Sequence, residues 1–382
     1  MKERVVSLAE LSIGGKGSYG IGASAVPYSE GLYRYLRITD IKDDGTINFQ
    51  DLKSVDNEKA SEYLLKPNDI VFARTGASTG RNYFYDGTDG EFVYAGFLIK
   101  FSIDDTKVNP KYIKYFCQSK QYKDWIDSFN TGSTRGNINA QTLGKMPVPL
   151  LDRQQQDNLV SVLSSIDEKI KKNNEINNNL DQQAQALFRS QFLTQETLPA
   201  GWIKATLGEI SLMGAGGDKP KTVSATQTEN CPYPIYSNGI NDEGLYGFTN
   251  EYKIKDESIT VSARGTIGFV CLRHKPYTPI VRLVTLIPNT DVLSAKYLYL
   301  WLKNSPIHGT GTTQQQLTVP DFRKTEIILP TKKEMSSFTD TVTPLFEAMW
   351  ANQDENTKLA KVRDSLLPKL MSGELDVSDI EL

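Results

Sequence analysis

Residues 153–192 read RQQQDNLVSVLSSIDEKIKKNNEINNNLDQQAQALFRSQF, and this run decides the fold because the chain writes its pattern twice. Read in heptads, one face carries Leu159, Leu163, Ile166, Ile170, Asn173, Asn177, Leu180, Ala184, Leu187 and Gln191, in alternating steps of four and three. Such spacing predicts one long helix with a coiled-coil seam. From Lys332 to Ser372 the same steps pick out Phe338, Val342, Leu345, Met349, Asn352, Asn356, Leu359, Arg363, Leu366 and Leu370, each 179 residues after its counterpart.

Both copies place two asparagines mid-seam. A buried Asn costs stability unless it finds a polar partner, and it fixes register where it does. If the helices pair antiparallel, Asn173 faces Asn356, Asn177 faces Asn352, Leu163 faces Leu366 and Leu180 faces Met349. Arg363 then falls opposite Ile166, which requires its guanidinium to snorkel outward. Parallel pairing would also align the asparagines; a pseudo-twofold relation between two repeats joined end to end favours the antiparallel arrangement.

The rest of the chain repeats as well. Residues 1–150 form a first globule of short strands, turns and helices, with strands expected at 70–73 and 97–101 and a helix at 110–125. Residues 151–195 are the first helical spacer, 196–330 a second globule, and 331–382 a C-terminal helical spacer and tail. Landmarks return in order: Ala73-Arg74-Thr75-Gly76 in Ala263-Arg264-Gly265-Thr266, Lys111-Tyr112-Ile113 in Lys296-Tyr297-Leu298, Thr131-Gly132-Ser133-Thr134 in Thr310-Gly311-Thr312-Thr313, and Val148-Pro149 in Leu329-Pro330. Over the first three the offset drifts from 190 to 185 to 179 as loop lengths differ, and it is 181 at the fourth. The expected fold is α+β: two tandem mixed domains separated by two long helices that form an antiparallel coiled coil, with an internal pseudo-twofold repeat. The helices keep one register without a gap while the globules keep only landmarks, as expected of one scaffold presenting two different readers.

Composition removes several function classes. The net charge of −3 announces no global basic field, so any nucleic-acid contact must be local. Cys117, Cys231 and Cys271 lack metal-ligand spacing and fit a reducing cytoplasm. The charged start and the absence of a long apolar run point to a cytoplasmic protein without membrane contact. His274 and His308 sit in no catalytic or zinc-like constellation. Gly14-Gly15-Lys16-Gly17-Ser18 lacks the order of a phosphate loop. Asn230-Cys231-Pro232-Tyr233 has Cys where the Asn-Pro-Pro-Tyr motif of amino-methyltransferases has its first Pro, and reads as a turn. No catalytic residue and no metal site is expected.

The globules do carry polar, glycine-punctuated loops with isolated arginines. Arginine can fork onto guanine, Asn or Gln onto adenine, and Ser, Thr and backbone amides onto phosphate. The candidates in the first globule are Arg74, Thr75, Thr79, Arg81, Ser133, Thr134, Arg135 and Asn137. In the second they are Ser237, Asn238, Arg264, Thr266, Thr312, Thr313, Gln314 and Gln315. Glutamines replace Arg135 and Asn137, so the two readers would prefer different bases.

With these residues the chain resembles the specificity subunit of a Type I restriction–modification enzyme over essentially its whole length. The local signs are Leu198-Pro199-Ala200-Gly201-Trp202 followed by Leu207-Gly208-Glu209-Ile210, Pro149 and Pro330 ahead of the helices, and the ending Leu366-Leu367-Pro368-Lys369-Leu370-Met371-Ser372-Gly373-Glu374-Leu375. The first half shows a weaker Leu8-Ala9-Glu10-Leu11. The resemblance implies a non-catalytic DNA-recognition subunit whose two target-recognition domains each read one half of a bipartite asymmetric site in double-stranded DNA. It also implies two methyltransferase subunits docked on the helices and restriction subunits, the motor–nucleases, joining them. S-adenosylmethionine, ATP and magnesium would belong to those partners, with no cofactor here. The competing class is a coiled-coil scaffold whose polar loops bind a partner other than DNA.

Overall fold

The computed structural model describes residues 4–49, 51–129, 136–195, 197–309 and 316–375. Two compact units emerge, one built from residues 1–171 and 356–382, the other from 172–355. Each unit therefore holds one globule together with part of both long helices.

In the first unit the strands are β1 (Arg4–Ser7), β2 (Ser18–Tyr19), β3 (Ala25–Pro27), β4 (Tyr33–Leu36), β5 (Lys53–Val55), β6 (Asp69–Ala73), β7 (Asn82–Tyr85), β8 (Phe92–Tyr94), β9 (Leu98–Ser102) and β10 (Pro147–Leu150). Its helices are α1 (Pro110–Phe116), α2 (Lys120–Asp127), α3 (Ala140–Gly144) and the start of α4 (Arg153–Phe192). One sheet has the order β2-β9-β6-β7, a second β3-β5-β4-β8, and β1 pairs with β10 where the chain enters and leaves the globule. Strand β6 is buried from end to end, as a central strand must be. The helix expected at 110–125 is two helices: Ser119 accepts a hydrogen bond from the Tyr122 amide and starts α2 afresh, an N-cap the aromatic periodicity concealed.

The second unit repeats this plan with β11 (Ile203–Thr206), α5 (Leu207–Ile210), β12 (Ser211–Ala215), β13 (Tyr233–Tyr236), β14 (Leu245–Thr249), β15 (Ser258–Val261), β16 (Val270–Arg273), β17 (Thr278–Pro279), β18 (Val284–Pro288), α6 (Ala295–Lys303), α7 (Val319–Phe322), β19 (Glu326–Leu329) and α8 (Lys332–Met371). The order β12-β18-β15-β16 matches β2-β9-β6-β7, and β11 pairs with β19 as β1 does with β10.

Small devices recur at matching places. Glu10 accepts from the amide and hydroxyl of Ser7, and Glu209 does the same for Thr206, so the Leu-Ala-Glu and Leu-Gly-Glu motifs are reciprocal caps. Ser12 and Ser211 donate back to the carbonyls of Leu8 and Leu207. The buried hydroxyl of Tyr112 donates to Pro149 O at 2.5 Å and that of Tyr297 to Ile328 O at 2.6 Å. Thr228 and Cys231 bond each other's backbones, so the turn lies at Glu229-Asn230, and the 230–233 stretch leads out of it into β13 at Tyr233.

Both long helices open on reciprocal caps. Asp152 accepts from the Gln155 amide and Gln155 returns a contact to the Asp152 amide; Thr331 and Glu334 do likewise. Within each unit the helix segments run antiparallel. In the first, Leu159 and Leu163 share a core with Leu367, Leu370 and Met371. In the second, Ala184 and Phe188 share one with Phe338, Val342 and Met349. Asn352 Nδ2 donates to Asn177 Oδ1 at 2.8 Å, and Asn177 Nδ2 donates to Met349 O at 3.2 Å. Asn173, buried, donates to Glu355 Oε2 at 2.7 Å. The guanidinium of Arg363 escapes the seam as required: it reaches Asp167 at 3.1 Å and Asp364 at 2.9 Å.

One end of the seam departs from the heptads. Gln191 is exposed, whereas Phe188 and Phe192 are buried. A straight helix drifts from a 3.5-residue repeat, and here an aromatic cluster rewards the drift: Phe192 lies 5.6 Å from Trp202, 5.1 Å from Tyr297 and 5.0 Å from Phe338.

Two aspartates on α4, two heptads apart, fasten the globules to it. Asp167 takes Lys114 at 2.7 Å and the Tyr115 hydroxyl at 2.9 Å besides Arg363. Burial pushes its carboxyl up, but Lys114 and Arg363 prevail and hold it below the usual carboxylate range. Asp181 takes Lys303 at 3.0 Å and Tyr299 at 3.4 Å. In the second unit His274 also stacks on Trp350 of α8 with ring centroids 4.2 Å apart. Burial, with Lys275 nearby, pulls its pKa down to about 4, so it is neutral near pH 7.

The amide pair gives a test. Replacing Asn177 alone by Leu orphans the Asn352 amide and costs roughly 1–3 kcal/mol. Replacing both by Leu restores stability to wild type or above while loosening register. Urea denaturation of the two variants, with sizing for oligomeric state, checks both arms; equal losses would place the pair outside the seam.

Candidate nucleic-acid interface

The loop after β6 and the segment that leads to α3 are stitched together. Gly76 N donates to Gly136 O at 3.3 Å, Ile138 N to Arg74 O at 2.9 Å, and Thr75 bridges Asn137. The Thr79 hydroxyl donates to Gly76 O and, at 3.0 Å, to Gly136 O. Two loops far apart in sequence thus present Arg74, Thr75 and the exposed Asn137 side by side. Arg74 lies over the Tyr19 ring, 5.2 Å from its centroid, and the Tyr19 hydroxyl accepts from Ala140 N. Arg81 is engaged elsewhere, forking onto Asp43 at 2.6 and 3.2 Å and touching Ile41 O, and so braces the base of the loop. Ser133, Thr134 and Arg135 lie outside the described residues.

The second unit builds the same frame. Leu317 N donates to Ala263 O at 3.0 Å as Ile138 N does to Arg74 O, and Arg264 Nη2 donates to Gln316 Oε1 at 3.0 Å. Ser262 exchanges backbone bonds with Phe269 and Gly268, as Ala73 does with Arg81 and Gly80. These pairs shift the sequence alignment by one: Ala263 stands where Arg74 does, Arg264 where Thr75 does, and Gly265 where Gly76 does. The glycines explain the shift. Gly76 at φ +75° and Gly265 at φ +70° are the left-handed corner of each loop, so they, and not the arginines, are the equivalent residues. Arg264 and Thr266 are exposed. Ser237 is half-buried, its amide bonded to Gly244 O. Thr312, Thr313, Gln314 and Gln315 lie outside the described residues.

Asn238 holds the loops. Its Oδ1 accepts from Ala263 N and its Nδ2 donates to Val281 O, both at 2.7 Å. That leaves the amide occupied by the protein itself. Sequence reading did not single out Tyr19, Phe97 or Arg282, which border the same surfaces; nothing in their local spacing marks them. Gln316 that reading places only within the glutamine run of the second loop. Among the described residues, no group of three or more His, Cys, Asp or Glu is placed to hold a metal ion, and no helix is long and apolar enough to cross a membrane.

The model of the Type I restriction modification DNA specificity domain matches the chain twice, over residues 20–182 and 199–359. The Type I restriction enzyme MjaIX specificity subunit of Methanocaldococcus jannaschii is 24% identical over 304 residues, covering 71% of this chain and 70% of the relative. The HindI specificity subunit of Haemophilus influenzae is 22% identical over 404 residues, covering 81% and 87%. The crystal structure of a Type I restriction–modification S subunit from M. genitalium superposes with a TM-score of 0.54 at 18% identity, covering 97% of this chain and 96% of that one, and has the same fold.

Replacing Asn238 by Ala leaves the Ala263 amide and the Val281 carbonyl without their partner. A loss of about 1–3 kcal/mol in local stability follows, read as faster hydrogen exchange at Ala263; unchanged exchange would show that water replaces the side chain.

Proposed function

Because this chain belongs to the Type I restriction modification DNA specificity family, we propose that each of its units reads one half of a bipartite, asymmetric sequence in double-stranded DNA. The observation that carries this reading is the frame found twice: backbone bonds join the same two loops in each unit, while the side chains they present differ. Phosphate contacts position such a surface and base-edge contacts specify the sequence, so Arg74, Thr75 and Asn137 would read one half-site and Arg264, Thr266 and Gln316 the other. Thr79, Arg81 and Asn238 shape the loops, and Ser237 borders them.

Helices α4 and α8 set the unspecified gap between half-sites and dock two methyltransferase subunits, which restriction subunits join. The chain is the non-catalytic member of that complex. S-adenosylmethionine, ATP and magnesium act on the partners and no cofactor binds here.

The test is co-expression with the methyltransferase subunit in a methylation-free host, followed by genome-wide mapping of N6-methyladenine. A two-part motif that vanishes without this chain is expected, and exchanging residues 196–330 should change one half alone. A soluble complex with an active partner and no methylation would favour a scaffold that does not bind DNA. A second measurement addresses the gap. One heptad inserted into both helices adds about 10 Å at 1.5 Å per residue, or about three base pairs at ~34 Å per turn; an active variant with an unchanged gap would refute the spacer role.

A further inference from the structure

The turn that leads into β18 is strained without a packing reason. Val281 at φ +51° and Arg282 at φ +60° are consecutive residues in the left-handed conformation, which L side chains disfavour and β-branched ones most of all. Both are exposed, Val281 to 49%, so no core demands the shape. Such strain persists only where the surroundings overdetermine it, and it collects at functional sites.

The surroundings here are explicit. Val281 N donates to Gly217 O and Arg282 N to Gly216 O, both at 2.9 Å, and Asn238 Nδ2 holds Val281 O. A Cβ on Gly216 would meet the Ile280 backbone at 2.7 Å, so the strand edge can approach only there. The other end of the Asn238 amide holds Ala263, the residue before Arg264. One side chain thus sets the backbone at two exposed arginines, and Arg282 makes no ion pair or side-chain hydrogen bond among the described residues.

The first unit supplies an independent observation. Gly96 N donates to Ile21 O as Val281 N does to Gly217 O, and the parallel bridge of Ile21 with Ala95 matches that of Gly217 with Ile280. The place of Arg282 is taken by Phe97, 58% exposed, whose carbonyl accepts from Arg74 N. Neither Gly96 nor Phe97 has a positive φ. Each unit thus shows a large exposed side chain beside its arginine loop, and the two are chemically unlike.

We propose that Arg282 reads a base in the second half-site, forking onto O6 and N7 of a guanine, and that the left-handed turn exists to hold it out beside Arg264. This rests on the recognition role proposed above. Arginine matches that pair of acceptors in the major groove, and no other base offers it.

The test uses the complete complex with the methyltransferase subunits, comparing wild type, Arg282→Gly and Val281→Gly by motif mapping, salt-dependent binding and Tm. Glycine suits the left-handed turn, so both variants fold with Tm at or above wild type. Arg282→Gly should lose discrimination by roughly 5- to 150-fold at one guanine of one half-site, with the other half unchanged; Val281→Gly should keep the whole motif. An unchanged motif in Arg282→Gly would overturn the inference. So would uniform weakening at all sequences with a salt slope lower by about one, the mark of a phosphate contact. A wild-type complex that yields no two-part motif would defeat the recognition role, and this inference with it.

Discussion

An amide facing an amide inside an apolar seam admits one register. Asn352 donates to Asn177, which donates in turn to the Met349 carbonyl, so a slide by one heptad would break both bonds. In the same unit Asp181 sits where Lys303 and Tyr299 reach it, and in the other unit Asp167 meets Arg363. Each aspartate helps tie the globule of its own unit to α4, Asp167 through Lys114 and Tyr115 and Asp181 through Lys303 and Tyr299.

The loop frames of the two units show what repetition keeps and what it releases. Backbone bonds between the loops, the left-handed glycine corner and the caps at the globule entrance recur residue for residue. Side chains on the exposed rim do not: Thr75 gives way to Arg264, Asn137 to Gln316 and Phe97 to Arg282. Backbone geometry is indifferent to such exchanges, because main-chain bonds close the frame, with the Arg264–Gln316 bond added in the second unit. Arg81 and Asn238 do support it, through Asp43 and through Ala263 and Val281.

Much of this was legible in the sequence. Periodicity gave both helices and the Asn177–Asn352 register, because a seam repeats one physical requirement every seven residues; the antiparallel sense came from the pseudo-twofold repeat, and Asn173 takes Glu355 where Asn356 was expected. The end of the seam was not legible, since Phe188 and Phe192 answer to Trp202 and Tyr297 of the globule rather than to the heptad. Loop positions were found by their glycines and arginines. Their roles were not, because occupation of a side chain by Asp43 or by the Ala263 amide is a tertiary event. A left-handed Val-Arg pair leaves no trace in composition at all.

The second unit is a single run of chain, 172–355, whereas the first is two runs, 1–171 and 356–382. Synthesis from the N-terminus therefore finishes the units in reverse order. Leu159 and Leu163 emerge about two hundred residues before Leu367 and Leu370, the side chains that complete their core. At roughly 5–20 residues per second that is on the order of 10–40 s, long enough for the second unit to close first. Until residues 356–371 follow, Leu159 and Leu163 lack the side chains that complete their core.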